Sequence, residues 1–314
     1  MSAEPRITLL GPQRKPNLDE VVRELGMTGP IATINAGWQD REVDDTLLDS
    51  MLSGRSRNLG LWRRMQEIWD NDPEFTQADR DRRRTMVEMQ ELYLRGLDHA
   101  TRALADIRDH VPRREWVRDS ALKHAERVVR DLDTRHIDQV TRVYADFWER
   151  TAPHERPAIA RARAEVAQQL ADVEAVVMTG GDIRVLLNSL HLFNITPILA
   201  NKPIIAWGAG AMALTERVVL FNDRATHGPT LAEVYAEGLG LVKNAVALPS
   251  ARDRLNMSEK TRMATIARRF APAQCLLLDA GAHVSVCDQG LIPAGSPILG
   301  ADGAPTTSES LAAA

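Results

Sequence analysis

The stretch that decides the fold is residues 203–214, which read PIIAWGAGAMAL. A short apolar run leads directly into Gly208–Ala209–Gly210–Ala211, and a second apolar segment with helical character follows. Small residues allow a tight strand-to-helix turn, and the first N–H groups of a helix are free to bind an anion. The stretch therefore predicts a buried strand, a sharp turn and a helix, with a possible site at the turn.

Short apolar runs recur on both sides of this stretch. Continuous runs of this kind suit strands that are buried on both faces, as in a parallel sheet. They comprise residues 7–10, 31–34, 175–179, 203–207, 218–221, 245–248 and 275–278. Helical segments at 18–25, 183–193 and 259–270 lie between several of the runs. This alternation predicts an α/β fold with a doubly wound, mostly parallel sheet.

The middle of the chain has a different pattern. Apolar residues recur at helical spacing from Met89 to Ile107 and again from Val128 to Phe147, with Pro112 between the two series. We therefore expect a long antiparallel helix pair within a helical insertion at residues 55–172. The α/β domain is then discontinuous, at 1–54 and 173–300, and the Gly-, Ala-, Ser- and Thr-rich residues 301–314 are expected to be a flexible tail.

Composition excludes several classes of protein. The 314 residues carry a formal net charge of -4, which argues against nucleic-acid binding driven by overall charge. No apolar run has the length of a membrane span, and the first residues do not resemble a signal peptide. The two cysteines, Cys275 and Cys287, cannot make a disulfide scaffold, and no residues show zinc-ligand spacing. These features indicate a cytoplasmic protein without a metal or cofactor.

One interpretation of the turn is dinucleotide binding. Gly208, Gly210 and Ala213 match G-x-G-x-x-A, and a strand precedes them as that motif requires. However, the next strand begins after only about two helical turns, and the expected acidic residue roughly 20 positions later is missing. Nucleotide binding therefore remains the weaker alternative.

The other interpretation is a nucleophile elbow, the strand-to-helix turn that presents a catalytic side chain above a sheet. Here the sequence resembles the peptidase S51 group of the class I glutamine amidotransferase-like superfamily, which includes dipeptidase E and cyanophycinase. The blocks that carry the resemblance are Gly208–Ala209–Gly210–Ala211, Gly180–Gly181–Asp182, GLGL at 238–241 followed by LPSARDRL at 248–255, and LLLD at 276–279. The helical insertion resembles that of a bacterial subgroup called type 1 glutamine amidotransferase-like.

This sequence departs from that family at the positions of the catalytic residues. By resemblance, Gly208 stands where the family has its nucleophilic serine, and Ser250 stands where it has the base histidine. Asp279 stands at the position of the third, acidic residue. Glycine cannot attack a carbonyl, and serine is not a base near neutral pH. The three positions are therefore interpreted as vestigial.

The backbone groups of the family's site need no side chain. By resemblance, the N–H groups of Gly181 and Ala209 form the oxyanion hole, and Gly180 and Asp182 complete the ligand-binding turn. The alternative is that the glycines are present only because the backbone turns require them.

Other candidates have simpler explanations. Cys275 lies in a predicted strand and is expected to be a buried, inert thiol. His227 is expected in a surface loop. Trp38 and Trp207 are equally consistent with core residues and with residues that line a binding crevice.

The sequence thus predicts a non-catalytic S51-like protein, in which a small acidic ligand binds at the vestigial site or a partner protein binds through the insertion. A homo-oligomer formed through the insertion is expected, and neither nucleic acid nor a membrane is. The alternative from another class is an active serine-type hydrolase or amidase with a relocated nucleophile or a metal-free water mechanism.

Overall fold

The fold was analysed in a computed structural model, which describes residues 7–14, 16–199, 201–224, 231–287 and 289–309. The strands are β1 (Ile7–Leu10), β2 (Ile31–Ile34), β3 (Ser56–Asn58), β4 (Ala175–Met178), β5 (Ile204–Trp207), β6 (Arg217–Leu220), β7 (Glu233–Glu237), β8 (Ala245–Pro249), β9 (Gln274–Leu278), β10 (His283–Val286), β11 (Pro297–Leu299) and β12 (Pro305–Thr307). The α-helices are α1 (Leu18–Glu24), α2 (Thr46–Met51), α3 (Leu61–Asn71), α4 (Pro73–Asp109), α5 (Glu115–Thr151), α6 (Pro157–Ala171), α7 (Ile183–Leu192), α8 (Thr196–Leu199), α9 (Ala209–Leu214), α10 (Ala251–Arg254) and α11 (Lys260–Phe270).

The main sheet has six strands in the order β10-β1-β5-β4-β2-β3. All neighbours are parallel except β10, which pairs antiparallel with β1. The central strands β1, β2, β4 and β5 are buried along their whole length, as the continuous apolar runs predicted. The α/β fold with a mostly parallel sheet is therefore confirmed.

The C-terminal half forms two further groups of strands. Parallel β8 and β9 belong to a four-stranded sheet in the order β12-β11-β9-β8, and β6 pairs antiparallel with β7. The expectation of a flexible tail from residue 301 is corrected at β12, whose residues 305–307 pair with β11. Gly303 makes this turn possible, because a Cβ there would lie 2.0 Å from the Lys260 carbonyl oxygen of α11. Residues 310–314 lie outside the described part.

The helical insertion is dominated by α4 and α5, each of 37 residues and about 55 Å long. Residues 110–114 reverse the chain between them, so that the two helices run antiparallel. A buried polar cluster joins this pair to the α/β domain: Arg269 of α11 makes two hydrogen bonds of 2.6–2.7 Å to Asp133, and Tyr93 donates to the same carboxylate at 2.7 Å. Within the described residues, none of the helices has an apolar segment long enough to span a bilayer.

Candidate functional site

The turn after β5 has the backbone geometry of an elbow. Gly208 has φ 56° and ψ −126°, a conformation that L-residues adopt only under strain. The turn is closed by backbone hydrogen bonds from Gly210 N to Thr179 O at 2.9 Å and from Met212 N to Gly208 O at 3.1 Å. Because β5 lies between β1 and β4, the elbow stands at the centre of the main sheet.

The glycines around the elbow differ in whether the surrounding backbone leaves room for a Cβ atom. A Cβ on Gly181, which has φ 117°, would lie 2.3 Å from the Gly37 carbonyl oxygen, and one on Gly210 would lie 2.4 Å from the Met178 carbonyl oxygen. Packing alone therefore explains Gly181 and Gly210. Gly180 is different, because a Cβ there would meet only ordinary contacts at 3.8 Å, to Gly208 and to the Ala209 amide nitrogen among others.

The N–H groups of Gly181 and Ala209 face no acceptor in the part of the chain that the structure describes. The N–H of Ala209 is the first of α9 and has no partner within that helix. Both residues line the same cavity as Gly180 and Gly208. The backbone can therefore offer two free donors to one bound oxygen.

This cavity has a volume of about 960 Å³ and opens at the carboxyl ends of parallel strands. Ligands of open α/β sheets bind at that edge. Its lining includes residues that directly follow β1, β2, β4, β5 and β8, namely Pro12, Gln13, Arg14, Gly37, Trp38, Gly180, Gly181, Gly208 and Ser250. The site is thus built from separate strand ends that the sheet order brings together.

Three arginines line the described part of the cavity, and the side chains of two of them form no ion pair within the described residues. Arg41 pairs with Asp44 at 3.5 Å, whereas Arg14 and Arg254 form no ion pair or hydrogen bond through their side chains with the described residues. Burial and the nearby charge of Arg14 lower the pKa of Arg254, although the charge of Asp253 opposes the change. Two positive charges that repel each other across a cavity favour an anion between them.

Glu233, at the start of β7, is the other acidic residue in the lining. Burial raises the pKa of its carboxyl group above the usual range, although a hydrogen bond from Gln90 at 2.9 Å opposes the change. Gln90 belongs to α4, so the helical insertion directly contacts the site.

The side chains expected from the sequence have different surroundings. Ser250 lines the cavity in a left-handed conformation with φ 54°. Asp279 follows β9 and does not line it; its carboxylate accepts a hydrogen bond from the Arg252 N–H at 2.9 Å. Asp182 caps α7 and is held by Arg184 at 2.8 Å, and these hydrogen bonds outweigh burial and lower its pKa.

The remaining candidates are mostly structural. Cys275 is buried in β9, and burial raises its pKa to about 12, so the thiol is not a ready nucleophile. Trp38 and Trp207 both line the cavity, and His227 lies outside the described residues. Across the described ranges, no three His, Cys, Asp or Glu side chains are grouped to hold a metal ion.

Arg14, Arg254 and Glu233 were missed by the sequence interpretation. Arg14 could have been found, because it closely follows the predicted first strand and so lies at the carboxyl edge of the sheet. Arg254 stands within the LPSARDRL block. Glu233 had no local signal, since only the pairing of β7 with β6, its packing against α5 and the hydrogen bond from Gln90 of α4 bring it to the cavity.

Comparison with known proteins gives one family. A family model described as peptidase family S51 matches residues 133–293, slightly more than half of the chain. None of the curated proteins matches. Among solved structures, the chain is similar to a peptidase from an acI-B1 Actinobacterium, with 12% sequence identity over 88% of this chain and 81% of that chain, and a TM-score of 0.42. The range matched by the family model contains the elbow, the Gly180–Gly181 turn and Ser250.

Proposed function

The chain belongs to peptidase family S51, and from this membership we propose that it is a non-catalytic member whose crevice binds a small carboxylate. The proposal has two parts, the loss of the serine chemistry and the retention of an anion site. Each part rests on its own residues.

The loss of serine chemistry is supported by the lining of the cavity. Gly208 stands at the elbow, and Ser250 is the one hydroxyl or thiol side chain among the described lining residues. No histidine lines the described part of the cavity, so Ser250 lacks the histidine base that a Ser–His pair requires. A serine hydroxyl without such a base is a poor nucleophile at neutral pH.

The observation that carries the anion site is that two arginines whose side chains form no ion pair with the described residues line the same cavity as the free N–H groups. Arg14 and Arg254 supply positive charge, and the Gly181 and Ala209 N–H groups supply directed donors. Hydrogen bonds to charged groups contribute about 1.5–3 kcal/mol each. A carboxylate is the simplest group that uses both charge and paired donors.

The test uses Gly180, where the backbone tolerates a side chain. The Gly180→Ala variant adds a methyl group 3.8 Å from the Ala209 amide nitrogen, so it crowds the donor without disturbing the turn. We expect succinate and N-acetyl-aspartate to bind the wild type, as measured by calorimetry, and to bind this variant at least tenfold more weakly. Arg254→Met is expected to weaken binding similarly.

The matched control is Gly96→Ala in α4. The added Cβ there would meet only Leu132, at 3.7 Å, and the position is remote from the cavity lining. This variant is expected to bind like the wild type. Equal affinity for Gly180→Ala and Gly96→Ala would contradict the proposal.

Glu233 favours a second candidate, a hydrolase that activates water directly. A buried carboxylate with a raised pKa suits a general base. Water would add to an amide carbonyl whose oxygen lies at the Gly181 and Ala209 N–H groups, while Glu233 takes the water proton and returns it to the leaving amine. Turnover of N-acetylated peptides that disappears in Glu233→Gln, with binding retained, would favour this candidate over the binding protein.

The geometry does not favour nucleotide binding. Helix α9 is only six residues long, whereas the dinucleotide fingerprint opens a longer helix packed on the sheet.

A further inference from the structure

The cavity also has an apolar wall, which a small acidic molecule bound at the elbow would not contact. Helix α2 contributes Leu47, Leu48 and Met51 to the lining, and the segments around β6 and β7 contribute Leu220, Phe221 and Leu231. Leu47 is 68% exposed, and the neighbouring Val43 is 62% exposed. Exposed apolar side chains grouped at the mouth of a cavity are typical of a binding surface.

The size of the cavity leads to the same conclusion. At roughly 30 Å³ per water molecule, a volume of about 960 Å³ holds on the order of 30 waters. A short dicarboxylate would displace only a few of them and would leave the apolar wall wet. A ligand gains most from such a cavity when its charged group reaches the donors and its remaining surface covers the wall.

We infer that the ligand is an amphipathic monocarboxylate, with the carboxylate at Arg14, Arg254 and the elbow N–H groups and an aliphatic body against α2. The inference rests on the proposed function, because it assumes that the carboxylate binds at the elbow. The inference goes beyond the proposed function because it places the aliphatic part of the ligand against Leu47, Leu48 and Met51. A fatty acid and the carboxyl end of an apolar peptide both have this chemistry, and the test below distinguishes them.

The test is a chain-length series measured by calorimetry: butanoate, hexanoate and octanoate. We expect the affinity to rise about fourfold for each added methylene, as burial of apolar surface predicts. N-acetyl-leucine is expected to bind more tightly than N-acetyl-aspartate. If N-acetyl-leucine binds more tightly than octanoate, the ligand is the carboxyl end of a peptide; if octanoate binds more tightly, it is a fatty acid. Octanol, which lacks the charge, is expected to bind far more weakly than octanoate.

Leu47→Ser is the variant that addresses the wall. Because Leu47 is largely exposed, its replacement leaves the core intact, and we expect octanoate to bind about tenfold more weakly while butanoate is little affected. The matched control is Leu92→Ser on α4, since Leu92 is 69% exposed and does not line the cavity. This control is expected to keep the full dependence on chain length.

The outcomes separate this inference from the proposed function. Equal affinities for butanoate and octanoate, or tighter binding of N-acetyl-aspartate than of N-acetyl-leucine, would overturn the amphipathic ligand and leave carboxylate binding standing. Equal binding of octanol and octanoate, or no binding by any carboxylate, would overturn the carboxylate site itself. Loss of the chain-length dependence in Leu92→Ser would also count against a wall at Leu47.

Discussion

Gly208 forms the turn after β5 in a backbone conformation that suits glycine. Its φ of 56° and ψ of −126° are costly for any residue with a side chain, by about 1–3 kcal/mol. A Cβ at this position would also lie 3.0 Å from the Gly180 Cα. Glycine therefore avoids both the backbone strain and the close contact with Gly180.

The first prediction concerns restoration of the serine. We expect no labelling of the wild type by a fluorophosphonate probe, and none of Gly208→Ser, because no histidine lines the described part of the cavity to activate the new hydroxyl. The single variant should also unfold at a lower temperature, since it restores the strain. Gly208→Ser combined with Ser250→His should gain labelling, because both positions line one cavity and histidine tolerates a left-handed conformation.

Gly208→Ala is the control for this experiment, because it adds the same Cβ without the hydroxyl. It should lose as much thermal stability as Gly208→Ser and remain unlabelled with or without Ser250→His. Robust labelling of the unmodified protein at a cavity residue would instead favour a relocated nucleophile.

The second prediction concerns Glu233 and pH. Its raised pKa means that the folded protein takes up this proton at a higher pH than an exposed glutamate does. Acidification to pH 4.5 leaves a carboxyl group with a raised pKa mostly protonated and removes a negative charge from the cavity, so an anion should bind more tightly at pH 4.5 than at pH 7.5. An alkanesulfonate is the suitable ligand, because it stays ionised throughout. Glu233→Gln should bind tightly at both pH values, and an unchanged pH dependence in that variant would exclude Glu233 as its source.

At the scale of elements, the long helices α4 and α5 are held to the α/β domain by buried polar groups as well as by apolar packing. Arg269 of α11 contacts Asp133 of α5, Tyr93 of α4 and the Ala232 carbonyl oxygen before β7. The side chains of Arg269 and Asp133 are only 5% and 1% exposed. A single cluster thus joins three helices to the strand that carries Glu233.

The third prediction is that Asp133→Ala severely weakens this connection. It leaves the guanidinium of Arg269 buried without its counter-charge, and breaking such pairs costs about 3–5 kcal/mol of unfolding free energy. The control is Asp98→Ala, whose partner Arg102 is largely exposed, and it should cost less than about 1 kcal/mol. Urea unfolding followed by circular dichroism measures both, and equal losses in the two variants would contradict the assigned role.

At the scale of the whole molecule, the sequence predicted the elements that have continuous patterns. The apolar runs located β1, β2, β4, β5, β6, β8 and β9, and helical periodicity located α4 and α5. It did not predict β7, whose buried and exposed residues alternate, or β12, whose small polar residues read as a tail. The charged lining of the cavity could not be predicted either, because Arg14, Glu233 and Arg254 lie in or after strands of three different sheets and meet only in the folded chain.

The fourth prediction concerns the assembly of the molecule. Six large apolar side chains that are exposed in the described structure lie within the helix pair and its connection: Val87, Leu92, Val111, Trp116, Val117 and Val128. Val111 and Trp116 at the tip are 87% and 66% exposed, which favours burial against another surface. We expect a second copy of the chain to cover this region, so that light scattering at micromolar concentration gives the mass of a dimer.

The variant that tests this assembly is Val111→Ser combined with Trp116→Ser, which is expected to give a monomer with unchanged helix content, since neither side chain belongs to the core. Val43→Ser is the control, because it removes an exposed apolar side chain outside the helix pair and should leave the dimer intact. The ligand site lies at the strand ends and the tip at the far end of the helix pair, so the monomeric variant should keep its affinity for carboxylates. A wild type that is monomeric at these concentrations, or a dimer that survives both tip substitutions, would show that the exposed apolar residues serve another purpose.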